Sequence, residues 1–186
     1  MKQFSLEADP EFWTQVEPGT EQEEFFALWA DVPNTPWKAM LHHHGGYALS
    51  SANDLGSTTW LLSDEQLGIA AAVVPVSADG PEVVHDAAHA VDLVNRLMGP
   101  GIAEPIVTEA MFGELDGFAV THIHELPDWL RQEAGESDLQ LLQTIFVAAD
   151  GHGTVYFAAI SPQLSNVAGH VLIPIAAALQ TAAWHD

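Results

Sequence analysis

The most constraining feature of the sequence is a pair of apolar runs in its second half. The runs cover Leu139 to Ala149 and Thr154 to Ile160, with Asp150-Gly151-His152-Gly153 between them. Two such runs joined by a short glycine-containing turn predict an antiparallel hairpin. Apolar residues fall on both faces of the first run, which is typical of a strand in the middle of a sheet covered on both sides.

Further segments rich in β-formers are punctuated by proline and glycine, which predicts additional strands. The first, Phe4–Leu6, is expected to pair with the second, Phe12–Val16, as a hairpin. The others form two predicted hairpins: Thr58–Leu62 with Ile69–Val76, and Ile106–Phe112 with Phe118–Leu126.

Three segments carry helix signals. Thr20-Glu21-Gln22-Glu23 has the spacing of a capping box and precedes the apolar run Phe25–Ala30. Val83–Met98 has an apolar stripe at spacings of three and four, and Gly99-Pro100-Gly101 ends it. A similar stripe runs through Leu164–Ala182, where Pro174 predicts a kink or a break.

One stretch follows no period. Three histidines and Gly45-Gly46 interrupt the segment from Trp37 to Leu49, and Ser51–Ser57 is expected to be a loop. We find no repeat and no linker that would divide the chain. Its 186 residues therefore predict a single α+β domain, with a mostly antiparallel sheet flanked by helices in an α/β/α sandwich.

The charge balance narrows the classes of partner. The chain has four lysines and arginines against 26 acidic residues, a net charge of −22. Nucleic-acid binding depends on basic side chains that neutralise phosphates, so the sequence predicts no nucleic-acid partner and no docking on anionic lipid. Acidity of this kind keeps a protein soluble through self-repulsion, and it also attracts basic partners.

The sequence lacks cysteine, and it lacks long apolar runs. There is no cysteine, which excludes thiol nucleophiles, disulfides and cysteine-ligated metals. The N-terminal residues contain no apolar run of signal-peptide length, and no run approaches a membrane span. The expected location is the cytoplasm.

The order of elements in the second half resembles that of the Mog1/PsbP-like family, which includes small bacterial LpqN-type proteins. The order is helix, strand, turn with Asp116-Gly117, strand, long strand, Gly-centred turn, strand and final helix. Ser161-Pro162 before the last helix, and Phe4-Ser5-Leu6 followed by Trp13, are also similar. The resemblance implies an antiparallel sheet flanked by helices, and a non-catalytic binding or assembly role with no shared active site.

Histidines are the candidates for metal binding. His42, His43 and His44 are consecutive, and on a strand only His42 and His44 would share a face. In His122-Ile123-His124-Glu125, a strand would place the two imidazoles on one face, about 7 Å apart, where they could chelate an ion with a third ligand. His85 and His89 are one helical turn apart but lack the Glu of a helical zinc motif, and a solvated helix face explains them.

No other motif supplies chemistry. The sequence has no nucleophile-elbow motif and no glycine-rich phosphate loop, so it predicts no catalytic residue and no cofactor. Trp129 lies in a predicted loop between two predicted strands, and we expect it to be a partner contact.

Three functions stay open from the sequence. The first is a binding or assembly module that recognises a protein partner. The second is a metal-binding protein or metal-dependent enzyme that uses His122 and His124 with a neighbour from His42–His44 or the helix. The third is a carrier for a small apolar ligand, held between sheet and helices.

Overall fold

The computed structural model describes residues 3–33, 36–65, 69–75, 84–113, 115–128, 131–132, 140–148, 153–161, 177 and 180–185. Among these residues the helices are α1 (Gln22–Ala27), α2 (Pro36–Leu55) and α3 (Ala87–Met98). The strands are β1 (Gln3–Ser5), β2 (Trp13–Val16), β3 (Thr59–Asp64), β4 (Ile69–Pro75), β5 (Ile106–Phe112), β6 (Leu115–Glu125), β7 (Gln140–Ala148), β8 (Gly153–Ser161) and β9 (Ala183–His185).

Seven strands form one antiparallel sheet in the order β2-β3-β4-β8-β7-β6-β5. This confirms the predicted α+β class and the hairpins β3–β4, β5–β6 and β7–β8. Because β8 pairs with both β4 and β7, the sheet joins strands from the two halves of the chain. As predicted, β7 is buried on both faces, with Leu141 and Ile145 on one side and Leu142 and Phe146 on the other.

The predicted hairpin between the first two strands is wrong. β1 pairs with β9, where Phe4 lies opposite Trp184, and β2 pairs with β3, where Trp13 lies opposite Leu62. A turn follows Asp9, where the N–H groups of Phe12 and Trp13 donate to the Asp9 carbonyl, but this turn does not bring β1 and β2 together as paired strands. β2 instead buries Trp13 and Val16 at the edge of the large sheet, and apolar burial outweighs sequence proximity.

The segment that followed no period is a helix, so the expected loop at 51–57 is also wrong up to Leu55, where α2 ends. The contacts of Gly45 explain why this helix contains a glycine in its middle. A Cβ at this position would stand 3.1 Å from Phe25 and 3.2 Å from Trp29. Glycine costs about 1 kcal/mol of helix propensity, but here it lets the aromatic rings of α1 pack directly on α2.

The helix starts differ from the predicted ones. The hydroxyl of Thr20 donates to the carbonyl of Glu17 at 2.7 Å, and Glu21 is the N-cap of α1 without a side-chain cap, so no capping box forms. α3 begins at Ala87, because the Asp86 carboxylate accepts the backbone N–H of His89 at 2.8 Å. Gly99 ends α3 as predicted.

α2 and α3 pack on the same face of the sheet. The register Leu61–Ala72–Tyr156–Ile145–Val120 runs across it. α2 covers the β2–β4 side and α3 covers the β5–β7 side. The described helices are all too short or too polar to span a bilayer.

The opposite face is also buried, at side chains that include Trp60, Leu62 and Phe146. None of the three described helices packs there. The predicted helix Leu164–Ala182, which would form the second layer of the sandwich, lies mostly outside the described residues. At its end, Gln180 and Thr181 form a turn before β9.

Candidate functional site

The three consecutive histidines lie in the middle of α2 and point in different directions, because successive helical residues are rotated by about 100°. His42 stacks on Phe26 of α1, with ring centres 4.8 Å apart. His43 is exposed, and His44 is buried against the sheet. Because the segment is a helix, the strand-like alignment of His42 with His44 does not occur, and the three imidazoles are separated.

His44 is the most strongly perturbed of these histidines. It is 2% exposed. Burial, followed by the charge of neighbouring His43, lowers the pKa of His44 to about 3. Partial desolvation by its neighbours also lowers the pKa of His43, although its side chain is exposed. His44 is thus a neutral core residue at ordinary pH.

The histidines of β6 do share a face, as predicted. The rings of His122 and His124 are nearly parallel, at 14°, with centres 5.7 Å apart. His122 is 1% exposed. Burial lowers the pKa of both imidazoles, and for His124 the charge of His122 adds to the effect. Both rings are therefore neutral at pH 7.

One hydrogen bond determines which ring nitrogen of His122 carries the proton. The backbone N–H of Gly101 donates to Nδ1 of His122 at 3.1 Å. A neutral imidazole has one acceptor nitrogen and one N–H, so the proton of His122 must be on Nε2. Glycine is needed for this approach, because a Cβ at position 101 would stand 2.8 Å from the Ile123 carbonyl oxygen.

The Nε2 atoms of His122 and His124 are buried and have no hydrogen-bond partner in the described part of the chain. An unsatisfied buried polar group costs roughly 1–3 kcal/mol. Native proteins leave few such groups, and those that persist call for an explanation. The β6 pair is therefore one place in the core where the described residues leave polar atoms unsatisfied.

The geometry of this pair does not favour a metal. A metal-bound histidine uses one nitrogen as ligand and donates from the other, whereas His122 accepts at Nδ1 and keeps its proton on Nε2. Nearly parallel rings 5.7 Å apart also do not converge on one ion. The described residues contain no group of three or more His, Asp or Glu side chains able to hold a metal.

A second histidine pair lies at the start of α3, with His85 just before the helix and His89 in its first turn. His85 and His89 have ring centres 5.6 Å apart, and both lie beside solvent rather than in the core. His89 also lines a surface pocket of about 450 Å³ with Asp92, Asn95 and Arg96. Its lining combines opposite charges, so this pocket selects for no single ligand charge.

The free edge of the sheet is the clearest surface feature. β5 pairs with β6 on one side, and no described strand pairs with its other side. Large apolar side chains are exposed along this edge: Ile106 is 59% exposed and Met111 is 48% exposed. Ile102 precedes β5, is 54% exposed and donates its N–H to the Ile123 carbonyl at 2.8 Å.

Sequence reasoning missed Gly101, Ile102 and Ile106 as candidate residues. The Gly99-Pro100-Gly101 signal was interpreted only as a helix stop, although its second glycine is the one that approaches His122. The other predicted contact, Trp129, lies outside the described residues. Comparison of the chain with models of protein families and with curated proteins finds no match.

Proposed function

We propose that this domain is a non-catalytic binding module that pairs the free edge of β5 with an extended, positively charged segment of a partner protein. The observation that carries the proposal is the unpaired edge of β5, which exposes Ile106 on one face and Met111 on the other, with exposed Ile102 just before the strand. An edge strand offers unpaired backbone groups to another chain, and side-chain contacts then provide specificity.

Charge selects the kind of partner. The domain carries a net charge of −22, and Glu104 and Glu109 are exposed on or beside the edge. A second copy of the same chain is disfavoured, because full antiparallel overlap of two β5 strands would place Glu109 opposite its own copy. Like charges directly opposite destabilise strand pairing. Lysine or arginine side chains on the added strand would instead be attracted.

The resemblance to the Mog1/PsbP-like family supports the same proposal, since binding and assembly roles predominate there. The cytoplasm is the compartment we propose for the interaction. The absence of catalytic motifs from the sequence is consistent with this role.

A direct test uses a fluorescein-labelled peptide of about eight residues that alternates lysine and valine, long enough to span β5. Fluorescence anisotropy should show binding to the wild-type domain. Ile106→Asp should weaken binding about tenfold or more, since it removes an apolar anchor and adds a desolvated charge. Binding should also weaken between about 50 mM and 500 mM NaCl, because the attraction is screened.

Leu28→Asp is the matched control, because Leu28 is 61% exposed but lies after α1, away from the edge. It should leave binding unchanged. A second control peptide alternates glutamate and valine and should not bind. Equal losses for the two variants, or equal binding of the two peptides, would contradict the proposal.

A further inference from the structure

The two histidines of β6 occupy a polar position between two apolar clusters. On one side are Met40 of α2, Leu126 and Leu141. On the other side, Val120 and Ile145 lie beneath α3. Register places His122 opposite Gln143 and His124 opposite Leu141 on the same face. The imidazole pair is thus set into a largely apolar wall beneath the two helices.

The buried hydrogen-bonding groups that remain available on this pair are the two Nε2 atoms. Because Gly101 occupies Nδ1 of His122, the Nε2–H of His122 is a fixed donor. The neighbouring Nε2 of His124 is buried as well, and neither atom has a partner among the described residues. A polar group with this arrangement is complemented by one oxygen atom that accepts a hydrogen bond.

We propose that His122 and His124 anchor the carbonyl or hydroxyl oxygen of a small, uncharged and largely apolar ligand on the face of β6 beneath α2 and α3. The Nε2–H of His122 donates to that oxygen, and His124 lies beside it. The site is distinct from the β5 edge, so either proposal can fail without the other.

The ligand must be uncharged for two reasons. Both imidazoles are neutral because burial lowers their pKa. They therefore provide no positive charge to offset the desolvation of a carboxylate. The net charge of −22 also repels anions. A ketone or alcohol with a hydrocarbon chain meets both conditions.

The test uses three probes of similar length: 2-decanone, decanoate and n-decane. In long-range ¹H–¹⁵N spectra of the histidine side chains, 2-decanone should shift the Nε2 resonances of His122 and His124. Decanoate should bind at least about tenfold more weakly, because of its charge. n-Decane should leave these Nε2 resonances unshifted, since it has no acceptor.

His122→Phe removes the donor and keeps a planar ring. It should weaken 2-decanone binding about tenfold, the value of one buried hydrogen bond. His85→Phe is the matched control, because it alters a histidine pair of nearly the same ring separation, 5.6 Å, at the solvent-exposed start of α3. It should leave affinity unchanged.

The wild-type spectra keep the proposal testable if His122→Phe does not fold. No response of His122 or His124 to 2-decanone would overturn it, and so would preferential binding of decanoate. A transition metal that shifts these resonances instead would restore the metal hypothesis and contradict the donor role assigned to His122.

Discussion

The two ends of the large sheet are built differently. At the β2 end, α2 lies across the strands, α1 packs on α2, and the edge strand has only four residues, two of them buried. At the β5 end, α3 covers the same face, while the seven-residue edge strand exposes Ile106 and Met111. Aromatic packing closes the first end, and apolar side chains remain in solvent at the second.

This difference suggests a division of roles. An unpaired edge strand that exposes large apolar side chains is more typical of an interaction surface than of a stabilising contact. Buried aromatic and histidine side chains, in contrast, contribute to the free energy of unfolding. We therefore expect substitutions at the β2 end to change stability and those at the β5 end to change binding.

The largest change in stability is expected on acidification, and it should arise from His44 of α2, at the β2 end of the sheet. Its pKa is lowered to about 3 in the folded state, whereas an unfolded histidine titrates near 6.5. Below about pH 6.5 the unfolded state binds the extra proton, so stability falls as pH decreases, by up to about 1.4 kcal/mol per pH unit. Urea denaturation at pH 7 and pH 4.5 measures this contribution.

The comparison with His44→Leu isolates this proton from the titration of the many carboxylates. The variant should lose less stability between the two pH values than the wild type does. His85→Leu leaves His44 in place and should retain the wild-type difference. If the wild type and His44→Leu respond equally to acid, His44 is not a neutral core residue.

Gly45→Val should give the next largest effect. Its side chain would meet Phe25 and Trp29, where even a Cβ stands 3.1–3.2 Å away. Overpacking of this kind costs about 1–3 kcal/mol. Gly46→Ala is the matched control, since its nearest neighbour is Phe26 at an ordinary 3.8 Å. Thermal unfolding should show a clear loss for the first and no loss for the second.

The stack between His42 and Phe26 should contribute less. Their ring centres are 4.8 Å apart and the planes differ by 25°. A double-mutant cycle with His42→Ala and Phe26→Leu should give a coupling energy of about 0.5–1 kcal/mol. A coupling energy of zero would mean that the stack does not hold α1 on α2.

The smallest effect on stability is expected at the β5 end. Ile106→Asp replaces a side chain that is 59% exposed, and exposed substitutions usually change stability by about 0.5 kcal/mol or less. The same variant should weaken peptide binding. A large drop in its unfolding free energy would remove the contrast between the two ends.

The sequence predicted those elements whose local pattern agrees with their packing. The hairpins and α3 were found because alternation, turn residues and helical spacing are visible along the chain. α2 was missed because its buried stripe includes His44 and Gly45, which count as polar or breaking residues. Treating both as buried would have connected Leu41, Ala48 and Ala52 into a helical stripe.

The site was predicted only in part. The shared face of His122 and His124 follows from strand geometry alone. Their hydrogen-bonding role does not, because it depends on Gly101, which is 21 residues away. The exposure of Ile106 depends equally on strand order, since the same sequence in a central strand would be covered.

Hydrogen–deuterium exchange with the lysine–valine peptide bound tests the central claim most directly, because it reports which backbone amides become paired. We predict slower exchange in β5, from Ile106 to Phe112, and no change in β2, from Trp13 to Val16. Peptide binding without protection of β5, or with protection of β2 instead, would contradict the assignment of the β5 edge as the binding surface.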